Sequence, residues 1–350
     1  MTVATARLGF GVTFTDHMVV ANWSQATGWT PLSLTRNAPL SLHPAAMSLH
    51  YGQAIFEGLK AYRQPDGTAA LFTPHRNAER FARSAARLAM PQLPPDAFIE
   101  ACELLVRADA EAIPGGFGQS LYLRPFMIAT EASLGVRAAT EYLFAVIASP
   151  VDHFFASGAA AIDVWCESRH SRAASGGTGE AKCAGNYAGS MPAKAAAVAR
   201  GCHEVLWLDA AEGNWVEELS AMNFFCVRQP AGDQPELLTP PLGGTILHGS
   251  TRAALLTLAG DHGVKVTERP IALAELLDPD SPITEAFACG TAATVVPIGG
   301  FASENGQRRL PTEGVGPVTT MMLEALMAIQ YGRSPDTHRW MHRVDGVSLP

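Results

Sequence analysis

This chain lacks several sequence features that would identify it as a membrane, secreted or nucleic-acid-binding protein. No apolar stretch reaches the roughly 18 residues needed to span a bilayer, and the N-terminal segment is a poor match to a signal peptide. There is no run of lysine and arginine, and the net charge of −8 argues against nucleic acid or an anionic membrane as the main partner. We therefore expect a cytoplasmic protein that binds neither membrane nor nucleic acid.

Cysteine and histidine occur without the spacings that metal sites need. The six cysteines form no CxxC pair and the eleven histidines no HExxH pattern, so we predict no metal site. Scattered cysteines of this kind are typical of reduced thiols in the cytoplasm. With 47% hydrophobic and 17% charged residues over 350 positions, the chain has the composition of a globular protein.

Strand and helix patterns alternate along the chain. Apolar residues every three to four positions predict a helix over 76–90, and β-branched and aromatic residues predict a buried pair of strands at 120–129 and 141–150. Further along, the pattern predicts a hairpin within 203–227, followed by a helix that begins near Ser250. An amphipathic helix around 317–331 is expected to close the chain.

A polar, glycine-rich stretch at 168–179 is the best candidate for a domain boundary. We predict a smaller N-terminal α/β domain at 1–167, an interdomain loop at 168–179, and a larger C-terminal domain at 180–350. The fold class is α+β or α/β, with mixed sheets and flanking helices, and the active site is expected between the two domains.

Lysine is the scarcest charged residue, with only four copies, and Lys182 stands in an unusual setting. In the segment GGTGEAKCAGNY (176–187) it has almost no side-chain bulk on either side. The phosphate loop of NTPases would need glycine before the lysine and serine or threonine after it, but Ala181 and Cys183 occupy those positions. A lysine among small residues suits an amine that forms a Schiff base, and pyridoxal phosphate is the commonest partner.

Pyridoxal phosphate also needs an anion site for its phosphate. A glycine-containing loop runs into the helix at Ser250, where free backbone amides favour an anion, although Ser250 could equally be a plain N-cap. A second turn, CGTAAT at 289–294, offers Thr291 at the end of a predicted strand. The chain therefore has two candidate phosphate sites after Lys182.

The same cofactor needs a carboxylate beside its ring nitrogen and a donor near its ring hydroxyl. Glu217 or Glu218 could supply the carboxylate, and Tyr187 could supply the donor. Each of these residues is also compatible with a purely structural role, the glutamates on a solvated strand and the tyrosine in the core.

Motifs along nearly the whole chain resemble those of the branched-chain amino acid aminotransferases, which are fold-type IV pyridoxal phosphate enzymes. The matching segments, in the family's order, are FTDHM (14–18), LHYGQAIFEGLKAY (49–62), SLYLRPF (120–126), SLGV (133–136), GNYAGS (185–190), EVLWLD (204–209), MNFF (222–225) and IQYGR (329–333). The resemblance implies the two-domain fold-type IV architecture. It also implies reversible amino transfer between leucine, isoleucine or valine and 2-oxoglutarate through a Schiff base of Lys182 with pyridoxal phosphate.

Two alternatives stay open. One is another fold-type IV enzyme, a D-amino acid transaminase or an aminodeoxychorismate lyase, although the segments HYGQAIFEGLKAY and YLRPF favour the branched-chain group. The other is a non-catalytic binding protein on the same scaffold.

The resemblance assigns roles to individual residues. Lys182 is the catalytic residue, Glu218 rather than Glu217 faces the ring nitrogen, and Arg80 contacts the phosphate. The full set of implied cofactor contacts is Arg80, Lys182, Tyr187, Glu218, Leu247, Ser250, Thr251 and Thr291.

The implied substrate positions lie in both halves of the chain. They are Phe10, Tyr51, Phe56, Tyr122, Arg124, Ala292, Leu134 and Val136. The substrates would be leucine, isoleucine, valine, glutamate and their 2-oxo acids, with Arg124 helping to accept the glutamate side chain. In the family the SLGV segment reaches the partner subunit, so Leu134 and Val136 imply a homodimer.

Overall fold

A computed structural model describes residues 8–152, 161–312 and 314–349. The strands are β1 (His17–Ser24), β2 (Gly28–Trp29), β3 (Ser33–Arg36), β4 (Ala54–Phe56), β5 (Leu59–Arg63), β6 (Ala69–Phe72), β7 (Ser120–Ala129), β8 (Glu141–Val151), β9 (Ile162–Glu167), β10 (Glu204–Leu208), β11 (Val216–Leu219), β12 (Asn223–Arg228), β13 (Glu236–Thr239), β14 (Lys265–Glu268), β15 (Ile283–Gly290), β16 (Thr294–Ser303), β17 (Gly306–Arg309) and β18 (Met341–Val344). The helices are α1 (Met47–Tyr51), α2 (Pro74–Arg87), α3 (Pro95–Ala108), α4 (Ala184–Ala188), α5 (Met191–Ala199), α6 (Ser250–Asp261), α7 (Leu273–Leu277) and α8 (Pro317–Gln330), with a short 3₁₀ helix at Ala110–Ala112.

The chain forms two compact units, each built on one sheet. The first unit contains the described residues up to Asp152, the short segment Ala181–Ala184, and the chain from Met327 onward. The second contains the described residues from 161 to 180 and from 185 to 326.

The sheet of the first unit is antiparallel in the order β18-β6-β5-β7-β8-β1-β2, with β3 paired to β1 and β4 paired to β7. Helices α2 and α3 supply aromatic side chains to its core. The Phe81 ring centroid lies 5.3 Å from that of Phe98 and 5.7 Å from that of Phe144 on β8. Pro74 starts α2, a position where its missing N–H costs no helical hydrogen bond.

The sheet of the second unit is mixed and closes on itself. Its order is β11-β10-β9-β16-β15-β12-β13-β14, and an additional pairing of β11 with β12 joins Glu218 to Asn223. Parallel pairs (β9 with β10 and with β16, and β13 with β14) occur beside antiparallel ones. Among its buried aromatic residues, Phe225 and Phe287 stack with ring centroids 5.1 Å apart.

Most of the predicted elements are confirmed. The helix expected over 76–90 is α2, and the strand pair at 120–129 and 141–150 is the antiparallel pair β7 and β8. The hairpin is formed by β10 and β11, the helix near Ser250 is α6, and the helix around 317–331 is α8. Helix α8 does not close the chain, because strand β18 follows it. The mixed sheets with flanking helices match the predicted fold class.

The predicted domain boundaries need correction at both ends. Strand β9 lies before residue 168 but belongs to the second unit, because it pairs with β10 and β16. The predicted C-terminal domain, 180–350, loses two segments to the first unit: Ala181–Ala184, which bridges to β4, and the C-terminal chain from Met327, whose strand β18 pairs with β6. Hydrogen bonding to distant strands, rather than local composition, decides these memberships.

Within the described part of the chain, every helix is too short or too polar to cross a bilayer. The same residues contain no cluster of three or more histidine, cysteine or acidic side chains that could hold a metal ion. All six cysteines are free and buried.

Candidate active site

Lys182 lies in a short segment that runs along β4 of the first unit. Its carbonyl accepts a hydrogen bond from the Phe56 N–H (3.0 Å), and its own N–H donates to the Ser84 hydroxyl (2.9 Å). Its neighbours Ala181 and Cys183 are each 3% exposed and pack into the core of that unit. Since neighbouring residues in extended chain point to opposite sides, Lys182 projects away from that core. Close packing is thus one physical reason for the small residues beside the lysine.

Arg80 forms a buried ion pair with Glu57. Its Nε lies 2.7 Å from Glu57 Oε1 and its Nη2 lies 2.8 Å from Oε2, while the two side chains are 5% and 0% exposed. The Asn77 side-chain amide donates to the same carboxylate at 2.8 Å, and the Gly58 N–H donates at 3.1 Å. Arg80 is therefore fixed inside the unit and does not belong to a solvated helix face.

The charge state of Glu57 follows from this environment. Burial alone would raise its pKa, but the charge and hydrogen bonds of Arg80 outweigh burial, helped by the charge of Lys182, and hold the pKa below its ordinary value. Glu57 is consequently an anion in the folded protein.

Four predicted substrate residues cluster with Lys182 in the first unit. The Lys182 Nζ and the Arg124 guanidinium carbon each lie 4.8 Å from the centroid of the Phe56 ring. Arg124 Nη2 donates to the Tyr122 hydroxyl at 3.0 Å, and Phe10 packs edge-on against Tyr122 with centroids 5.0 Å apart. The cluster combines apolar ring faces with one guanidinium, the combination that a pocket for both apolar and acidic side chains needs.

Two details indicate how this cluster is built. A Cβ atom at Gly58 would overlap the Tyr122 hydroxyl, so only glycine at this position leaves room for the tyrosine. The Nε of Arg124 is buried and has no hydrogen-bond acceptor among the described residues, which leaves a donor suited to an anionic group.

Three other predicted substrate residues lie at the surface of the same unit. The Tyr51 hydroxyl donates to the Leu134 carbonyl at 2.5 Å. Tyr51 is 40% exposed, Leu134 66% and Val136 86%. The structure thus places them at the surface rather than within the cluster around Lys182.

In the second unit, Glu218 is the centre of a buried polar network. Its Oε1 lies 2.8 Å from Arg172 Nη2 and accepts from the Leu247 N–H at 3.1 Å, and its Oε2 accepts from the Asn223 side chain at 2.9 Å. The Glu218 side chain is 5% exposed. Three donors, one of which carries a full positive charge, surround this buried carboxylate and favour its ionised form.

The neighbouring Glu217 lies in a different environment. Because successive strand residues point to opposite faces, its side chain projects away from that of Glu218. Its Oε2 is buried without a hydrogen-bond partner among the described residues. Burial raises the pKa of Glu217 despite a hydrogen bond from Thr245 and the charge of Arg172. Of the two glutamates considered from the sequence, Glu218 has the environment of a stable carboxylate.

Helix α6 begins next to this network. Its N-cap is Gly249, with no side-chain cap, so the reading of Ser250 as a plain N-cap is wrong. Ser250 and Thr251 are 5% and 4% exposed in the first turn, where backbone amides lack intrahelical partners. A Cβ at position 249 would overlap the Asn223 side chain, which itself donates to the Leu247 carbonyl at 2.9 Å.

Sheet register brings the second predicted turn to the same end of the second unit. Asn223 pairs with Glu218 on one side and with Cys289 on the other. Thr291 and Ala292, both half-buried, follow two and three residues later in the turn from β15 to β16. One end of this sheet therefore carries Glu218, the start of α6 and the turn from β15 to β16.

Tyr187 lies in α4, five residues after Lys182 along the chain, and is half-buried. Its carbonyl accepts from the Ser190 hydroxyl (2.7 Å) and N–H (3.1 Å). The short α4 therefore continues the chain from the lysine into the second unit.

The chemistry of these side chains fits pyridoxal phosphate. The group requires an amine, an ionised carboxylate and an anion site with hydroxyl and amide donors. Lys182 offers the amine, Glu218 is a buried anion with satisfied donors, and the uncapped start of α6 carries two buried hydroxyl residues.

The comparisons with known proteins agree with this chemistry. Residues 54–300 match the family described as amino-transferase class IV, and the chain belongs to that family. A probable branched-chain-amino-acid aminotransferase of Streptomyces coelicolor is 48% identical over 340 residues, covering 96% of this chain and 92% of the relative.

Solved structures show the same likeness. The branched-chain amino acid aminotransferase of Escherichia coli matches with a TM-score of 0.75 and 26% identity, covering 94% of this chain and 99% of that one. A branched-chain amino acid aminotransferase from T.th., complexed with N-(5'-phosphopyridoxyl)-L-glutamate, matches with a TM-score of 0.74 and 26% identity, covering 93% and 98%.

Sequence reasoning missed three residues that the structure places in these networks, namely Glu57, Arg172 and Asn223. Glu57 and Asn223 stand inside quoted motifs, FEG and MNFF, and Arg172 stands in the predicted loop. A signal was therefore present for two of them, but only folding shows which partners they take.

Proposed function

We propose that this protein is a pyridoxal phosphate-dependent enzyme that transfers the amino group reversibly between leucine, isoleucine or valine and 2-oxoglutarate. The observation that carries the proposal is the cluster in which Lys182 Nζ lies beside the Phe56 ring, next to Arg124 and Tyr122. The family match and the 48% identical relative support the same reaction.

The bound cofactor supplies an electron sink for the pair of electrons left when the substrate loses its α-proton. Lys182 would hold the cofactor through its aldehyde carbon, and its amine would serve as the general base for the substrate α-proton. Glu218, held ionised by Arg172 and Asn223, keeps the proton on the ring nitrogen.

The other cofactor contacts are assigned by the same reasoning. Tyr187 is assigned to the ring oxygen and Leu247 to the ring face. The phosphate is bound by one guanidinium, three hydroxyl side chains and the amides at the start of α6; these side chains are Arg80, Ser250, Thr251 and Thr291.

The substrate side chain is received by apolar surface. Phe10, Phe56 and Tyr122 select branched chains mainly by volume, which is worth about 1–3 kcal/mol per methylene. Arg124, with a buried Nε that lacks an acceptor, binds the side-chain carboxylate of glutamate. A backbone donor at Ala292 is assigned to the substrate α-carboxylate.

The protein is proposed to act as a homodimer. Leu49, Tyr51, Leu134 and Val136 are 60%, 40%, 66% and 86% exposed in the first unit, an apolar surface of the kind that subunit interfaces cover. Tyr51, Leu134 and Val136 would then border the substrate site through the partner subunit. Six free, buried cysteines support a reducing, cytoplasmic location.

Covalent trapping tests the proposal. Borohydride reduction of the enzyme with its cofactor, followed by peptide mapping, should label the peptide that contains Lys182. Lys182→Ala should abolish transfer from L-leucine to 2-oxoglutarate, because no other amine occupies that position. Label on a different lysine, or full activity of the variant, would contradict the assignment. Assays with D-leucine and D-alanine separate the branched-chain enzyme from a D-amino acid transaminase.

A further inference from the structure

Glu57 is a buried charged group of the first unit to which the proposed reaction gives no task. Glu57 is 0% exposed, and both its oxygens accept from the Arg80 guanidinium, at 2.7 and 2.8 Å. Asn77 and the Gly58 N–H donate to Oε2 at 2.8 and 3.1 Å. A carboxylate held by this many donors has a single orientation.

We propose that Glu57 is a positioning residue that orients the Arg80 guanidinium toward the cofactor phosphate. The inference rests on the proposed function, which assigns Arg80 to that phosphate. A guanidinium is rigid and planar, and Glu57 occupies Nε and Nη2, which form one edge of the plane. Fixing one edge fixes the plane, and therefore the direction of every other N–H donor on Arg80.

Two effects of Glu57 on an anion oppose each other. Its negative charge repels phosphate, whereas the orientation it imposes favours binding. We expect orientation to outweigh charge, because Arg80 is 4% exposed and Glu57 holds two of its nitrogens, so the loss of Glu57 removes the contacts that fix the guanidinium plane. The two effects predict opposite signs for the loss of Glu57, so the proposal is open to direct measurement.

The experiment compares two aldehydes that differ by the phosphate alone. The enzyme is stripped of cofactor, and the dissociation constants of pyridoxal phosphate and of pyridoxal are measured by absorbance titration. Glu57→Gln removes the charge, and Glu57→Asp keeps the charge but withdraws the carboxylate by one methylene. Both should raise the constant for pyridoxal phosphate by about tenfold or more, the range for a lost charge-assisted hydrogen bond. The constant for pyridoxal should change by less than about twofold, since pyridoxal makes no phosphate contact.

Asp109→Asn serves as the matched control. Asp109 is a carboxylate of the same unit, 8% exposed and paired with His17 at 2.6 Å, and it has no assigned role in the site. This variant should lose stability without changing the ratio of the two dissociation constants. A purely structural role for Glu57 would make its variants behave like Asp109→Asn.

Arg80→Ala separates the inference from its premise. If Arg80→Ala leaves the ratio unchanged, the assignment of Arg80 to the phosphate fails, and the inference fails with it. If Arg80→Ala shifts the ratio but both Glu57 variants leave it unchanged or tighten pyridoxal phosphate binding, only the positioning role of Glu57 is overturned. Circular dichroism shows whether each variant is folded. If Glu57→Gln is unfolded, the measurement on Glu57→Asp decides the outcome.

Discussion

Replacing Arg172 with methionine would leave the Glu218 carboxylate buried without its counter-charge. The pair is 2.8 Å apart, with side chains 6% and 5% exposed, so water cannot readily take the place of the guanidinium. Arg172 also donates to the carbonyls of Thr245 and Gly179, which fixes the loop before Lys182 within the second unit. Methionine keeps much of the length and apolar volume of the stem while removing the charge and the donors.

The magnitude follows from the burial of both partners. Removing one member of a buried ion pair typically costs about 3–5 kcal/mol, because the remaining charge is uncompensated. Glu218 would keep its hydrogen bonds from Asn223 and the Leu247 N–H, which places the expected loss near the lower end, about 3 kcal/mol. Urea unfolding of the whole protein, followed by tryptophan fluorescence, measures this loss.

The same substitution should affect chemistry separately from stability. Without Arg172, Glu218 takes up a proton more readily and holds the proton on the cofactor ring nitrogen less firmly. We expect kcat to fall with the protonated fraction of the ring nitrogen, by up to about tenfold for each pKa unit lost there, and the absorbance spectrum of the bound cofactor to change.

Arg308→Met is the matched control for this prediction. Arg308 is 7% exposed in the same unit, and its guanidinium donates to the carbonyls of Leu276, Ser281 and Ile283. Its loss should lower stability while the cofactor spectrum and kcat of the folded enzyme stay unchanged. If Arg172→Met reduces kcat no more than Arg308→Met does, the role assigned to the Arg172–Glu218 pair is refuted.

Two further predictions concern stability and assembly. Glu217→Gln should raise the free energy of unfolding near neutral pH by about 1 kcal/mol, because it removes a buried charge with one unpartnered oxygen. Burial raises the pKa of Glu217 above its ordinary value of 4.5, so the destabilising effect of the buried charge is absent below that pH and grows as pH rises. Urea unfolding of Glu217→Gln should therefore show a gain in stability that vanishes in acid, and a gain independent of pH would contradict this reasoning. Val136 is 86% exposed, and Val136→Glu should convert a dimer into a monomer in sedimentation experiments. Glu304→Gln is the surface control and should leave assembly unchanged. A Val136→Glu variant that remains a dimer would place the interface elsewhere.

Local sequence pattern was sufficient for most helices and strands. The strand predicted at 120–129 has the bounds of β7, and the helix expected near Ser250 begins at that residue as α6. Periodic apolar residues specify which face of an element is buried, and proline specifies where a helix can start. The scarcity of lysine and the small neighbours of Lys182 were equally visible without a fold.

Membership of the two units was decided by tertiary structure. Composition favoured a boundary at 168–179, but Ala181–Ala184 and the chain from Met327 belong to the first unit. Strands β18 and β6 pair although more than three-quarters of the chain separates them in sequence. No local pattern encodes which distant strand will accept the hydrogen bonds of β18.

The sequence also did not predict which residues pair with the buried charges. Arg80 could be identified from sequence as a helix residue, but no local pattern indicated that Glu57 is its partner. Glu218 was one of two adjacent glutamates, and no local pattern indicated its pairing with Arg172. Sequence determined which residue types were available and which elements carry them. Folding determined the pairs, because a charge removed from water is stable only beside the partner that the whole fold brings to it.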